Sequence, residues 1–296
     1  MKAARFEYHC AATVAEACQA LATHEDARLI AGGQTLVPMM AMRLARPSLL
    51  VDIARISELR TIEADGGALV TGACVRQAQA ERDPLVRAHV PLLARALPFV
   101  GHAPTRNRGT LGGSVANADP AAEIPLVLAT LGGCVDVRQG DMSAQVAAGD
   151  LFEGPMMTSL APTACITALR FPVWDHPRIG TGFLEVSARQ SDYAYVSAAA
   201  QVALDEDGTL LRCALGIGGA TAVPTRLSAV AEALVGRRIT PELARDALRP
   251  AIAALDIMVD AHASRDYRRR VAQRFAEQAL MAACADATAR SAGAGS

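Results

Sequence analysis

Lysine is almost missing from this 296-residue chain: Lys2 is the only one, and arginine carries the remaining positive charge. A lysine Schiff base and the phosphate-gripping lysine of a P-loop are therefore unavailable to the folded body. A surplus of either charge is missing too. The formal net charge is −1, which leaves no global basic field for nucleic acid or acidic membranes. No uninterrupted apolar run reaches spanning length, so no stable membrane insertion is expected. The start, Met1 to Arg5, passes straight into Phe6-Glu7-Tyr8-His9 with no apolar signal region.

Clustered metal ligands are also lacking. Cysteines stand at Cys10, Cys18, Cys74, Cys134, Cys165, Cys213 and Cys284, none at zinc or iron–sulfur spacing. They read as reduced thiols, mostly small buried hydrophobes, in a cytoplasmic protein. His9, His24, His89, His102, His176 and His262 are scattered, with no His-Glu-x-x-His and no nucleophile elbow. The Gly-x-Gly-x-x-Gly fingerprint is absent. Gly216-Ile217-Gly218-Gly219-Ala220 only approaches it and follows a meander strand rather than opening a βαβ unit.

What is present is a globular composition, 51% hydrophobic and 20% charged, with length enough for two domains. Thr13, with Glu16 three residues on, predicts a helix through Leu21. Strands are expected at 28–30, 48–53, 68–74, 134–137 and 163–171, with helical character at 37–44. The stretch 75–99 reads as helix in two pieces broken near Pro84 and Pro91, and 123–131 as an apolar helix. A boundary falls near Pro172 to Gly180. Beyond it, 182–190, 196–204 and 209–217 read as a three-strand meander, its last turn at Asp205 to Gly208. Helices follow near 227–235, 241–255 and 267–284, and Ala287 to Ser296 reads as a frayed tail.

Two glycine pairs stand out. Ala31-Gly32-Gly33-Gln34-Thr35 follows a short apolar strand, and Gly109-Thr110-Leu111-Gly112-Gly113-Ser114 lies far downstream. A glycine pair lets backbone N–H groups point one way without Cβ interference. Such a nest, with a helix start behind it, holds phosphate without lysine. Gln34, Thr35 and Ser114 add side-chain donors. Two facing loops suit a pyrophosphate, and hence a dinucleotide outside the Rossmann class. Two ordinary tight turns are the plain alternative.

These segments, AGGQTLVPMMAMRL from Ala31 and RNRGTLGGSVANADPAAEIP from Arg106, resemble the two flavin loops of the medium, FAD-binding subunit of molybdenum hydroxylases. That family includes carbon monoxide dehydrogenase, quinoline oxidoreductase and xanthine dehydrogenase types. Asp192-Tyr193-Ala194 and Ser264-Arg265-Asp266-Tyr267-Arg268 extend the resemblance over nearly the whole chain. It implies an α+β fold: a PCMH-type FAD-binding domain of two α/β subdomains at 1–175. A carbon monoxide dehydrogenase flavoprotein-like C-terminal α+β domain, with a three-stranded antiparallel sheet and helices, would span 176–290, and a tail 291–296. It implies FAD contacts from Ala31, Gly32, Gly33, Gln34 and Thr35, with Leu29, Ile30 and Val37 as apolar walls. Thr110, Gly112, Gly113 and Ser114 form the second loop. Asn117, Asp119 and Glu123 fall where relatives contact ribityl or ribose hydroxyls, Ile166 near the flavin edge, and Tyr193 against the isoalloxazine. No catalytic residue and no metal ligand is expected in this chain. Molybdopterin on a large subunit and 2Fe–2S clusters on a small subunit are implied, in a dimer of heterotrimers acting on an aromatic N-heterocycle. A carbon monoxide dehydrogenase medium subunit and a flavin-free scaffold subunit are the alternatives.

Overall fold

Thr13 starts the first helix: its hydroxyl accepts the Glu16 N–H at 3.1 Å, and the Glu16 carboxylate accepts the Ala12 N–H at 2.7 Å. This is the reciprocal capping that a Thr-x-x-Glu box supplies, with its return bond one residue early. The computed structural model describes residues 2–293. The first layer is built by β1 (Glu7–Cys10), α1 (Val14–Thr23), β2 (Ala27–Ile30), α2 (Leu36–Ala41) and β3 (Leu49–Asp52). β3 lies between β1 and β2 and pairs with both in parallel. α1 buries Val14, Ala17, Cys18 and Leu21. In a parallel sheet the strand ends share one edge, the usual place for ligands. The first glycine segment leaves β2 at that edge.

The chain then runs through β4 (Ile62–Asp65) and β5 (Ala68–Gly72) into α3 (Gln77–Arg82), α4 (Pro84–His89) and α5 (Pro91–Ala96). Where the sequence predicts two helical pieces at 75–99, there are three and a closing 3-10 turn at Leu97–Phe99. Pro84 and Pro91 each begin a helix, and the Asp83 carboxylate accepts the Leu85 and Val86 N–H groups. Proline is at home in a first turn, where its missing N–H costs nothing. Next come α6 (Ala103–Arg108), α7 (Leu111–Asn117) and α8 (Glu123–Leu131). They are followed by β6 (Cys134–Gln139), β7 (Met142–Ala147), α9 (Ala148–Leu151), β8 (Phe152–Gly154), β9 (Met157–Thr158) and β10 (Cys165–Pro172). The second sheet is antiparallel, in the order β4-β5-β10-β6-β7.

The C-terminal part holds β11 (Ile179–Val186), β12 (Val196–Leu204), β13 (Leu210–Gly218), β14 (Thr225–Arg226), α10 (Ser228–Leu234), α11 (Pro241–Ala254) and α12 (Arg265–Gly293). Its sheet has four antiparallel strands, not the three expected. The fourth, β14, places Thr225 and Arg226 against Ile217 and Gly216. A two-residue edge strand carries no alternation to read. The tail expectation is corrected as well. α12 runs on to Gly293, and residues 294–296 of the expected tail lie outside the described residues. Ala279, Ala283 and Ala287 are fully buried at four-residue spacing. A Cβ on Gly182 would lie 2.0 Å from the Ala279 carbonyl oxygen, and one on Gly180 2.3 Å from the Ala287 nitrogen. Ala287, which read as the start of a frayed tail, thus continues the stripe of Ala279 and Ala283 on which helix and strand meet.

The opposite face of this sheet enters the main core. Phe183, Ala199, Ala203 and Ala214 join one apolar cluster with Leu92, Leu126 and Phe171. Phe99 and Phe183 meet with ring centroids 5.0 Å apart, and Arg95 Nε donates to Thr181 Oγ1 at 2.7 Å.

Candidate cofactor site

β2 ends in half-buried Leu29 and Ile30, and Gly33 then turns the chain with a φ of 70°. Glycine adopts that left-handed angle without strain. The Val37 N–H returns to the Gly33 carbonyl at 3.1 Å, so the turn runs directly into α2. Gln34 folds back, its amide donating to the Gly32 carbonyl at 3.2 Å. The backbone N–H groups of Gly32, Gly33, Gln34 and Thr35 donate to no protein acceptor among the described residues. Four unpaired donors on one turn make an anion nest.

The second segment is built differently, which corrects the expectation that both segments offer free backbone amides. It is a helix start. Thr110 caps α7, its hydroxyl accepting the Gly113 N–H at 3.0 Å. The Leu111 N–H donates to Val75 O at 3.0 Å, the Gly112 N–H to Ala73 O at 2.9 Å and the Ser114 N–H to Thr110 O at 3.2 Å. These amides are occupied by protein. What the segment presents is the Ser114 hydroxyl, which has no partner among the described residues, and exposed backbone at Gly113 with no side chain. Gly112 allows close packing instead: a Cβ there would stand 2.5 Å from Ala73 Cβ.

The two segments touch each other. A Cβ on Gly32 would lie 2.5 Å from Arg108 O and 2.9 Å from Gly109 Cα. The Arg76 guanidinium donates to the same Arg108 carbonyl. Beside this contact opens a cleft of ≈ 880 Å³. Leu29, Ile30, Ala31, Gly32, Gly33, Gln34, Thr35, Thr110, Gly112, Gly113, Ser114, Asn117, Asp119, Glu123, Ile166 and Tyr193 all line it. Val37 does not. It lines a smaller hollow of ≈ 360 Å³ that shares the first segment and adds Asp52 and Arg108.

Two carboxyls form one wall. Asp119 Oδ1 accepts the Ala121 N–H at 2.9 Å, and Glu123 is the buried first residue of α8. Burial pushes the Glu123 carboxyl up to about 7, with the charge of Asp119 adding to it. Burial also raises Asp119. Behind them Glu185 is pushed up to about 8, by burial first and then by Glu123. A carboxyl near neutrality can either accept a hydroxyl proton or donate its own. Tyr193 lies at the mouth on the β11–β12 loop, 68% exposed. A ring presented this way has an apolar face free for a flat ligand.

The sequence reading missed several lining residues. Met156 (φ 60°) arrives from the β8–β9 turn, its N–H donating to Ala118 O at 2.9 Å and its sulfur accepting from Asn117 Nδ2 at 3.6 Å. Nothing near position 156 marks it as a site residue. Arg28 and Arg46 also line the cleft; closeness to the glycine pair was the available signal for Arg28, whereas Arg46 follows α2 and had none.

A parallel-sheet edge, a nest of free amides and a polar-walled cleft under an exposed aromatic define a dinucleotide-binding protein of non-Rossmann type. The residues present fit FAD. The free amides and Ser114 suit a pyrophosphate, the carboxyls suit ribityl or ribose hydroxyls, and Leu29, Ile30 and Ile166 offer apolar walls.

Comparison with known proteins agrees. Residues 4–174 match the family described as "FAD binding domain in molybdopterin dehydrogenase", and residues 182–283 match "CO dehydrogenase flavoprotein C-terminal domain". The nicotine 6-hydroxylase medium subunit of Paenarthrobacter nicotinovorans is 36% identical, over 96% of this chain and 99% of that protein. Among solved structures, quinoline 2-oxidoreductase from Pseudomonas putida 86 superposes with a TM-score of 0.91 at 35% identity. The match spans 97% of this chain and 99% of that one. The carbon monoxide dehydrogenase from Hydrogenophaga pseudoflava that lacks the Mo-pyranopterin moiety gives 0.92 at 31%, with the same coverage. The chain belongs to the FAD-binding medium subunits of the molybdenum hydroxylases. Among the described residues no helix is long and apolar enough to cross a membrane.

Proposed function

We propose that the chain holds FAD in the 880 Å³ cleft and serves as the electron-transfer subunit of a three-component molybdenum hydroxylase in the cytoplasm. A small partner would carry 2Fe–2S clusters and a large partner molybdopterin and the substrate, assembled as a dimer of heterotrimers. FAD supplies the capacity to take electrons singly and release them as a pair to an external acceptor. This chain's residues bind, orient and shield. Gly32 to Thr35 offer amides to the pyrophosphate, with Ser114 and the side-chain-free backbone of Gly113 opposite, and Gly112 lets the α7 start pack closely on Ala73 behind them. Asn117, Asp119 and Glu123 hold hydroxyls. Leu29, Ile30 and Ile166 exclude water, and Tyr193 covers the ring; Val37, which faces the neighbouring hollow, is left without a part in the cleft. In this reading residues 1–175 form the FAD-binding domain and 176–290 a C-terminal domain that carries Tyr193.

The observation that carries the proposal is the meeting of the free amides of the first segment with the α7 start across one cleft. The substrate class is taken as an aromatic N-heterocycle, since the nicotine and quinoline enzymes stand at 36% and 35% identity against 31% for carbon monoxide dehydrogenase. The absorption spectrum of the purified chain tests the cofactor. A stoichiometric oxidised-flavin band is expected, and a colourless protein that takes up no added FAD would overturn the reading. Co-purification with both partner chains, and turnover of an N-heterocycle rather than carbon monoxide by that complex, tests the remainder.

A further inference from the structure

Arg268 is 3% exposed near the start of α12, and no part of the cleft wall accounts for it. A guanidinium does not shed its charge, so burying one requires partners. Its Nη1 donates to Tyr195 O at 3.1 Å and also to Gly219 O, and its Nη2 pairs with Asp260 Oδ2. Each partner belongs to a different piece of chain. Tyr195 closes the 187–195 loop that presents Tyr193, its own N–H donating to Val186 O at 2.7 Å. Gly219 follows β13 with a φ of 70°, and its N–H donates to Pro120 O at 2.7 Å, next to Asp119 on the cleft wall. The two backbones are pressed together, since a Cβ on Gly219 would lie 2.8 Å from Ala194 O and 3.0 Å from Tyr195 O. Asp260 is itself fixed: its Oδ1 accepts the N–H groups of His262 and Ala263 at 2.8 and 3.0 Å. The His262 ring stacks on Tyr195, with centroids 6.1 Å apart.

The other hydrogen bonds between residues 187 and 193 stay within the loop: Ser187 Oγ donates to Arg189 O at 2.6 Å, the Asp192 N–H to Arg189 O at 3.1 Å and the Tyr193 N–H to Asp192 Oδ1 at 3.0 Å. Arg189 pairs with Asp192 at 3.3 Å, but the arginine is 85% exposed, and such surface pairs hold little. We propose that Arg268, anchored by Asp260, is a positioning residue: it latches the Tyr193 loop to the Asp119 wall and so fixes how Tyr193 meets the flavin ring. The role needs arginine, because one planar fork must reach two carbonyls and a carboxylate at once. The proposal rests on the FAD reading above, but part of its test does not.

Arg268→Gln, Arg268→Lys and Asp260→Asn in the full-length protein decide it. The first readout is amide hydrogen exchange without flavin. Arg268→Gln should speed exchange at 188–195 and at Gly219 by about tenfold or more, as for a segment released to open locally. The second readout uses the FAD-loaded chain. Flavin content should stay stoichiometric, while flavin emission rises as Tyr193 quenching is lost and the flavin midpoint potential shifts. Tyr193→Ala should give the same emission and potential, and the double variant nothing further, as expected of residues acting through one contact. Arg268→Lys should fall between, and Asp260→Asn should move the same readouts less, which keeps the test open if Arg268→Gln does not fold. Wild-type exchange in these variants, or effects that add to those of Tyr193→Ala, would overturn the latch. A wild-type chain that refuses FAD would instead overturn the cofactor reading, and the exchange data would still decide whether Arg268 holds the loop.

Discussion

At the scale of single residues the cleft depends on positions where a side chain is missing or a charge is hard to keep. Gly33 sits at a φ of 70°, and a Cβ there would meet Val37 Cγ2 at 3.2 Å. Gly33→Val places a β-branched residue in a left-handed angle, a cost of about 1–3 kcal/mol. The expected outcome is loss of FAD from a protein whose circular dichroism is unchanged; retained stoichiometric flavin would sink the loop assignment. The carboxyls make a pH prediction. Folded Glu123 holds its proton up to about 7 and Glu185 up to about 8, whereas the unfolded chain releases both near 4.5. Between those limits the folded state binds more protons, so stability falls as pH rises, by at most about 1.4 kcal/mol per pH unit for each group. Above pH 8 these groups add no further loss. Melting temperatures of the flavin-free chain from pH 4.5 to 8 should flatten in Glu123→Gln, and curves parallel to wild type would refute the assignment. Both glycine pairs and the Asp119–Glu123 pair were legible in the sequence. Met156 was not, because its place in the cleft depends on a turn between two very short strands far from either motif. The occupied amides of the second segment were not legible either, since they depend on Ala73 and Val75, carbonyl partners supplied from the turn after β5.

At the scale of elements, the strands and helices with a strong period or a capping residue were readable. Thr13, the apolar run of α8 and the turn ending at Gly208 each announce one. Elements without such a signal were lost. β1 and β7 are largely exposed edge strands, so no buried face imposes alternation on them. β14 is too short to show any. The last seven described residues of α12 failed for another reason: alanine and glycine look like a weak tail unless the facing strand is known. That contact can be tested. Gly180→Val would drive its side chain into the Ala287 backbone, whose nitrogen lies 2.3 Å from where a Cβ would fall. A helix backbone cannot yield as a side chain can, so the cost should exceed the 1–3 kcal/mol, roughly, of ordinary overpacking. A variant melting within a degree or two of wild type would mean that α12 does not lie on β11 this closely.

At the scale of the whole molecule, the boundary expected near Pro172 to Gly180 is not a line between independent cores. Phe183, Ala199, Ala203 and Ala214 of the C-terminal sheet belong to the same apolar cluster as Leu92, Leu126 and Phe171. The sequence could not show this, because the face of β12 that carries Ala199 and Ala203 also carries Ser197 and Gln201, and so does not read as a core face. Joined cores predict joined melting. The flavin-free chain should unfold in one calorimetric transition, and saturating FAD should shift that transition as a unit. A ligand that binds only the folded state adds about 2.7 kcal/mol at a hundredfold excess over its Kd, or several degrees for a chain of this size. The same argument fixes the behaviour of fragments. A piece beginning at Asp175 would expose Phe183, Ala199 and Ala214 to water while keeping the packing of α12 on the opposite face. It should therefore collect as a soluble aggregate or a loosely packed helical species rather than a monomer with a sharp melt. Adding the 2–174 fragment should restore a cooperative transition and, with FAD, the flavin band. Two separate transitions in the intact chain, or a sharply melting C-terminal fragment alone, would show that the shared cluster does not couple the two parts and that Tyr193 rides on an independent body.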